Sequence, residues 1–509
     1  MKIKRLISVI LTIMLAFSAL TMFGGCGDRT AVLKIYNWGE YIADGSYDSV
    51  DVISAFEEWY EEKTGEPIRV EYSMFDTNET MYTQIANKRA DYDVICPSDY
   101  TVQKLIRNDL LLPINDENFD TIWADTFEDE DPTAYGLGED EEITLHNIMN
   151  QGLLDLITVY DSGWVNGGSI YSVPFMWGTV GLLYDKAKIE AIGGDNAVDD
   201  MQTWDTLFEE DYAGYKYMKN SVRDAYAIAN IYHYSGELSR LSNGFTEFGK
   251  EYKELLSQCM NYPNEETIAS AEQTLKNQKK YLYAYESDEG KEDLKNGKSQ
   301  AAMALVWSCD AGYVIGMEEN LDLWYSVPKE GTNVWVDNWC IPKYAGNKKA
   351  AQYFISFVNT YEMAYENMYW VGSATPVRQA AEDIAYEITN PRSLLEYEYL
   401  EAYAEEEGEE YVEEHYDEII AEADADWKEM VESEDEALSD YVYFLEKYLE
   451  SHEDCTDEED CSCEWHAYAR MYSEALNPTD EQLERAAIMT DFAEKNTDVV
   501  RMFTRVKAG

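Results

Sequence analysis

The sequence predicts an α/β fold in which mostly parallel sheets are flanked by helices. Short β-rich apolar runs alternate with stretches of helical spacing as far as Leu110, the pattern of βαβ units. The length of 509 residues exceeds what one core holds, and a prior of ~150 residues per domain gives two or three domains. Polar and aromatic residues also collect where strands end, the edge at which such sheets take ligands.

Val32 to Tyr36 reads as a first buried strand, ending at Asn37-Trp38. Val52, Phe56 and Tyr60 keep helical spacing up to Thr64-Gly65, after which Ile68 to Tyr72 alternates as a strand. Thr80 to Lys88 reads as helix, Asp93 to Cys96 as a buried strand stopped by Pro97, and Val102 to Leu110 as helix again. Asn37-Trp38 and Ser98-Asp99-Tyr100 therefore both sit at strand ends. Trp307 follows the apolar run Ala301 to Val306, and Asp224 opens the helix after Tyr215 to Met218.

Two regions break this rhythm. Residues 117–168 carry Glu128 to Asp131 and Glu139 to Glu142 and read as an acidic excursion. Residues from 385 to 485 are denser still in carboxylates, yet Tyr411, His415, Ile419 and Ile420 keep helical spacing. Aromatics are too plentiful there for disorder, so two or more acidic surface helices are expected.

Composition narrows the partners. Asp and Glu number 101 against 39 Lys and Arg, a formal charge of -62, which excludes nucleic acid because phosphate binding needs a basic surface. A cationic ligand would be drawn in by the same field. The N-terminus has a basic start (Lys2, Lys4, Arg5), an apolar run from Leu6 to Phe23 and then Gly24-Gly25-Cys26, the pattern of an export signal. The small residues before Cys26 resemble a bacterial lipobox, with Phe23 where Leu is usual. That resemblance implies cleavage of residues 1–25, a lipid on Cys26, and a protein tethered to the outer face of the cell membrane or held in the periplasm. No other stretch approaches the ~20 apolar residues of a membrane span.

Of the remaining cysteines, Cys96, Cys309 and Cys340 lie in apolar, strand-like contexts and read as small buried hydrophobes. His452, Cys455, Cys461, Cys463 and His466 are too irregularly spaced for a standard zinc site, so a disulfide in a solvated hairpin is favoured over a metal. No GxSxG, Walker, HExxH or GxGxxG motif stands in a usable context. No cofactor or resident metal is expected, and the chain reads as a binding protein and not an enzyme.

Trp38 and Trp335 stand beside the carboxylates Glu40 and Asp337. Aromatic faces attract cations, and a carboxylate adds a charged hydrogen-bond partner, a set suited to an organic ammonium compound. Spacing alone leaves open that both tryptophans are core or rim residues.

The stretches IYNWGEYI (35–42), FDTNETMYTQI (75–85), DYDVICPSDYTVQKL (91–105) and YSVPFMWGTVGLLYD (171–185) decide between these readings. With WDTLFEEDYAG (204–214), VRDAY (222–226), MALVW (303–307), VPKEGTNVWVDNWCIP (327–342) and VKAG (506–509), they resemble, in order, the spermidine/putrescine-binding proteins of bacterial polyamine ABC transporters. The acidic excursions and part of 235–285 lie outside the resemblance.

The resemblance implies a two-lobed periplasmic-binding-protein fold of type II, with acidic helical insertions and strands crossing near 175–180 and 330–338. Lobe 1 is expected over 26–176 and 336–378, including the 117–168 excursion, and lobe 2 over 177–335 and 379–509, including the insertion. It further implies a monomeric receptor that hands putrescine or spermidine to a permease driven by an ATPase. Trp38 and Tyr41 match first-lobe aromatics, and Glu40 the acid between them. Ser98 and Tyr100 match a hydroxyl pair, Asp224 an ammonium-gripping Glu, and Trp307, Trp335 and Asp337 the remaining walls and second carboxylate. Ser221 stands where spermidine binders carry an Asp, and Ser373 replaces a Tyr; Asp99 is an added acid able to compensate. The shortened acid set favours putrescine or a rearranged spermidine pose. The other readings are a receptor of the same fold for another organic cation or amino compound, and an extracellular hydrolase, for which no motif speaks.

Overall fold

A computed structural model describes residues 30–46, 49–89, 91–159, 168–286, 289–297, 299–316, 323–389 and 464–509, with scattered residues between 399 and 425. Cys26, the cluster Cys455 to Cys463 with His452, and most of the expected acidic insertion lie outside the described residues.

The first sheet is parallel, as expected. β1 (Ala31–Trp38) pairs with β2 (Ile68–Phe75) along its whole length and with β3 (Val94–Ile95) on its other side. Helix Val52–Thr64 connects β1 to β2. Its start is capped by Asp51, whose side chain accepts from the Ser54 N–H, and Gly65 ends it at φ 70°, a conformation that suits glycine. Val52, Phe56 and Tyr60 are the buried face the spacing predicts. Fully burying a side chain such as Phe56 contributes roughly 1.5–3 kcal/mol.

β4 (Leu111–Leu112) pairs with a strand far down the chain. The strands that follow are β5 (Val173–Asp185), β6 (Lys216–Lys219), β7 (Leu282–Glu286), β8 (Met303–Trp307) and β9 (Leu323–Ser326). The last three are β10 (Thr332–Trp339), β11 (Ile341–Pro342), which is the partner of β4, and β12 (Ala486–Ile488). The large sheet runs β12-β10-β5-β8-β6-β7, with β9 also on β5. This sheet is mixed where mostly parallel pairing was expected: β5 is antiparallel to β8, β9 and β10. A long strand that leaves one core and enters another meets the second set of strands from the opposite direction, and hairpin-like neighbours satisfy its ladder.

The two largest hydrophobic cores among the described residues lie on either side of that crossing. Val173, Phe175, Met176 and Trp177 belong to the core built on β1, whereas Val180, Leu182, Leu183 and Tyr184 belong to the other. The change falls at Gly178–Thr179. Trp335 packs against both cores. β12 shows the same division by strand period, Ala486 and Ile488 facing one core and Ala487 the other.

The acidic excursion is a packed layer of the first core. Phe119, Ile122, Trp123, Phe127, Tyr135, Leu153, Leu154 and Ile157 are buried in it, while Glu128, Asp129 and Glu139 to Glu142 stay exposed. Trp123 stacks on Phe127 at 4.4 Å and donates its indole N–H to the Ile143 carbonyl at 3.0 Å. The composition reports the wet face of this layer and hides the dry one. Cys96 and Cys340 are buried as expected, but Cys309 is half-buried in helix Ser308–Gly316 and not on a strand. No helix among the described residues is long and apolar enough to cross a membrane.

Candidate functional site

The turn after β1 is fixed by Asn37, fully buried, whose amide donates to the Tyr41 carbonyl at 3.1 Å and the Tyr72 hydroxyl at 2.8 Å. Glu40 occupies the exposed corner of this turn at φ 50° and makes none of the hydrogen bonds below. Trp38 is half-buried with its ring 4.4 Å from that of Phe75. The turn delivers the Tyr41 hydroxyl to Asp337.

Asp337 itself is placed by backbone pairing. Beyond β3 the chain continues antiparallel to the end of β10: Ile95 bridges Cys340, Asn338 N–H donates to the Pro97 carbonyl at 2.9 Å, and Ser98 bridges Asp337. The start of β10 is set by the VPKEG segment. Gly331 has φ 115°, and a Cβ there would meet Leu256 and Tyr252 at 2.8 Å. The buried Glu330 carboxylate accepts from the Thr203 hydroxyl and the Trp204 N–H, and the Trp204 indole N–H reaches the Gly331 carbonyl at 2.9 Å. The motif is thus structural, and its product is the register of the Trp335–Asp337 strand.

Around Asp337 the side chains form one network. The Ser98 hydroxyl donates to Oδ1 at 2.6 Å and the Tyr41 hydroxyl to Oδ2 at 2.9 Å. Asn78 donates to the Ser98 Oγ at 2.9 Å and to the Tyr100 hydroxyl at 3.0 Å, and accepts from the Ser98 N–H. Asp337 is 7% exposed, and burial pushes its carboxyl up to about 6 while the Ser98 and Tyr41 hydrogen bonds pull it down. Among the described residues no lysine, arginine or histidine forms an ion pair with Asp337. Asp310, another buried acid, does have such pairs, with Lys219 and Lys291.

A second group gathers at the other core. Asp224 lies in the first turn of helix Val222–His233, 4% exposed, and its Oδ2 accepts from the Trp307 indole N–H at 3.3 Å. Burial pushes the Asp224 carboxyl up, opposed by the Ser221 hydrogen bond and by the Lys219 and Arg223 charges. Ser221 is the cap of that helix, its hydroxyl accepting from the Asp224 N–H. Trp335 is half-buried and donates its N–H to the Thr179 carbonyl at 3.2 Å. The two groups meet through Tyr100, whose ring carries the Arg223 guanidinium at 3.9 Å.

One expected residue, Asp99, and the Ser373 departure are both turned to the backbone. Asp99 does not line the network as a spare acid: it is 1% exposed, with one oxygen accepting from the Val336 N–H at 3.1 Å and the other from the Tyr100 N–H at 2.5 Å. A helix-start carboxylate finds backbone donors within its own turn, and β10 supplies the other. Ser373 is buried and directed to the Trp177 carbonyl. Asn37 was placed at a strand end by the sequence, but Asn78 was not singled out, although it falls in the matched stretch FDTNETMY; a short amide at a helix start was the available signal.

Two cores joined by the long strands β5 and β10 fit the two-lobed periplasmic-binding-protein fold of type II. A model of bacterial extracellular solute-binding proteins matches residues 53–391, and the chain belongs to that family. It is similar to the putrescine-binding periplasmic protein SpuD of Pseudomonas aeruginosa, 23% identical over 71% of this chain and 82% of that one. It is likewise similar to the spermidine/putrescine-binding periplasmic protein of Escherichia coli, 24% identical over 74% and 86%. Among solved structures, the spermidine/putrescine ABC transporter substrate-binding protein PotD of Streptococcus pneumoniae superimposes with a TM-score of 0.55 at 20% identity, covering 94% of this chain and 99% of that one.

Proposed function

We propose that this chain binds a polyamine, putrescine or spermidine, and presents it to an ABC permease and its ATPase. The observation that carries this reading is Asp337: a buried carboxylate with two hydroxyl donors and, among the described residues, no side-chain cation paired with it. Such a group is costly unless a cation completes it, and a ligand ammonium does so with a charge-assisted hydrogen bond of about 1.5–3 kcal/mol. Trp38, Trp335 and Trp307 offer flat faces for the methylenes, and Asp224 a second carboxylate. The polyamine-binding relatives support the same reading.

The protein acts as a monomeric receptor and not an enzyme. Lobe 1 comprises residues 26–176 and 336–378 and lobe 2 residues 177–335 and 379–509; the change of core at Gly178–Thr179 supports the boundary within β5. The chain is anchored outside the cell membrane through lipid on Cys26, and Cys26→Ser is expected to move it from the membrane fraction to the soluble one. Retention of that variant in the membrane would refute the anchor. Incubation with putrescine should return an unchanged amine in a one-to-one complex. A converted product, or no complex, would overturn the receptor reading.

A further inference from the structure

The lobe 2 end of the site contains a cation of its own. Lys219, the last residue of β6, is 4% exposed, and its ammonium lies 4.1 Å from the centre of the Trp307 ring. It is fixed there by Asp310, whose Oδ2 it meets at 2.7 Å; Lys291 takes the other oxygen at 2.5 Å. The strand burial of Lys216–Lys219 is complete, so this ammonium is built into the fold and does not lie along its surface. The Trp307 indole N–H in turn points to Asp224.

The two ends of the site therefore differ in kind. Among the described residues, the side-chain donors to Asp337 are neutral, the Ser98 and Tyr41 hydroxyls. Asp224 stands where the Lys219 and Arg223 charges are both felt, and the aromatic beside it already has a cation on one face. A cation on one face of an indole draws the π density toward itself and leaves the other face poorer for a second cation. Like charges brought together in a water-poor site also repel strongly.

We propose that Lys219 is a specificity-determining residue: its ammonium substitutes for a ligand ammonium at Trp307, so that the site selects a diamine over a triamine. The inference rests on the polyamine reading above. A diamine places one ammonium at Asp337 and the other at Asp224, where a carboxylate offsets the Lys219 charge; a third ammonium at Trp307 would meet Lys219 beside Asp310, whose two oxygens are already held by Lys219 and Lys291. The selection is made by a fixed positive charge, in addition to the acid missing at Ser221, whose hydroxyl is committed to capping its helix.

Calorimetric titration of the wild-type protein with 1-aminobutane, putrescine and spermidine at constant ionic strength tests this directly. Putrescine is expected to bind at least tenfold tighter than either. Spermidine equal to or tighter than putrescine would overturn the role of Lys219, with the polyamine reading intact. Failure of the folded protein to bind any of the three would overturn both. In Lys219→Met, which keeps length and removes charge, the putrescine preference over spermidine should shrink to within threefold. Lys219→Arg, which keeps the charge, should preserve it. An unchanged ratio in folded Lys219→Met would overturn the assignment. The wild-type series decides the matter should that variant not fold.

Discussion

Ser98 and Asp337, 239 residues apart in the chain, are joined by a hydrogen bond of 2.6 Å and by an antiparallel backbone bridge. The bridge carries the carboxylate into the first core's edge, and the hydroxyl, with that of Tyr41, keeps it ionisable there. Binding of a cation needs the ionised form. Affinity should thus be level above pH 7 and fall as pH drops through about 6, approaching tenfold per unit below it. Ser98→Ala removes one stabilising donor and should move that midpoint upward, readable by titrating at several pH values. A midpoint unmoved by Ser98→Ala would detach the profile from Asp337.

The same shift bears on folding. An acid whose folded pKa is raised from 3.8 to about 6 costs the folded state nothing below pH 3.8 and its full penalty above 6. The stability of the unliganded wild type, relative to Asp337→Asn, should therefore decline as pH rises from 4 to 6 and then level. Urea denaturation midpoints of the two proteins check this. A wild-type stability that holds constant or rises relative to Asp337→Asn over that range would contradict it.

Asp99 is a fastener between helix Asp99–Arg107 and β10, through the Val336 N–H. Asp99→Ala leaves that buried donor unpaired and should cost about 1–3 kcal/mol of stability. Urea denaturation measures it. A neutral substitution would show that water or a shifted backbone serves the donor equally well.

Gly178 lies where β5 passes between cores, and a Cβ there would come within 2.6 Å of the Trp335 ring. Gly178→Ala should displace Trp335, costing roughly 1–3 kcal/mol of stability and weakening ligand affinity. Fluorescence of the tryptophans together with calorimetry reads both effects. An unchanged spectrum and affinity would place Trp335 outside the ligand's wall.

Arg223 joins the lobes: its guanidinium lies 3.9 Å from the centre of the Tyr100 ring and 4.3 Å from that of Phe492, and its Nη1 donates to the Thr490 carbonyl at 3.0 Å. Arg107 paired with Asp491 lies in the same seam. Arg223→Met removes a desolvated cation–π contact and should raise the ligand dissociation rate several-fold with little change in association. Stopped-flow displacement distinguishes this from an effect on association alone, which would contradict the seam's role in holding ligand.

Much of this arrangement was legible in the chain because strand ends are chemically marked. Asn37-Trp38 and Pro97-Ser98 stop apolar runs abruptly, and the Trp335–Asp337 strand carries its carboxylate beside a tryptophan. What the sequence could not convey was direction and competition. Asp99 and Ser98 are adjacent, and only the antiparallel bridge to β10 sends Ser98 to the Asp337 carboxylate and Asp99 to a backbone N–H. Glu40 keeps its motif position, yet a left-handed turn leaves it exposed. The 117–168 layer was read by its charges because its buried aromatics are interleaved with them in short helices, which give too few turns for a clear apolar stripe. Lys219 was invisible for a plainer reason: burial of a lysine depends on Asp310, ninety-one residues away.

The central claim is that the Asp337 carboxylate receives a ligand ammonium. Isothermal titration of wild type and Asp337→Asn with putrescine at pH 7.5 tests it most directly. The account predicts one-to-one binding by the wild type and a loss of at least a hundredfold in the variant, with the fold intact by circular dichroism. Equal affinity in the two proteins would contradict it.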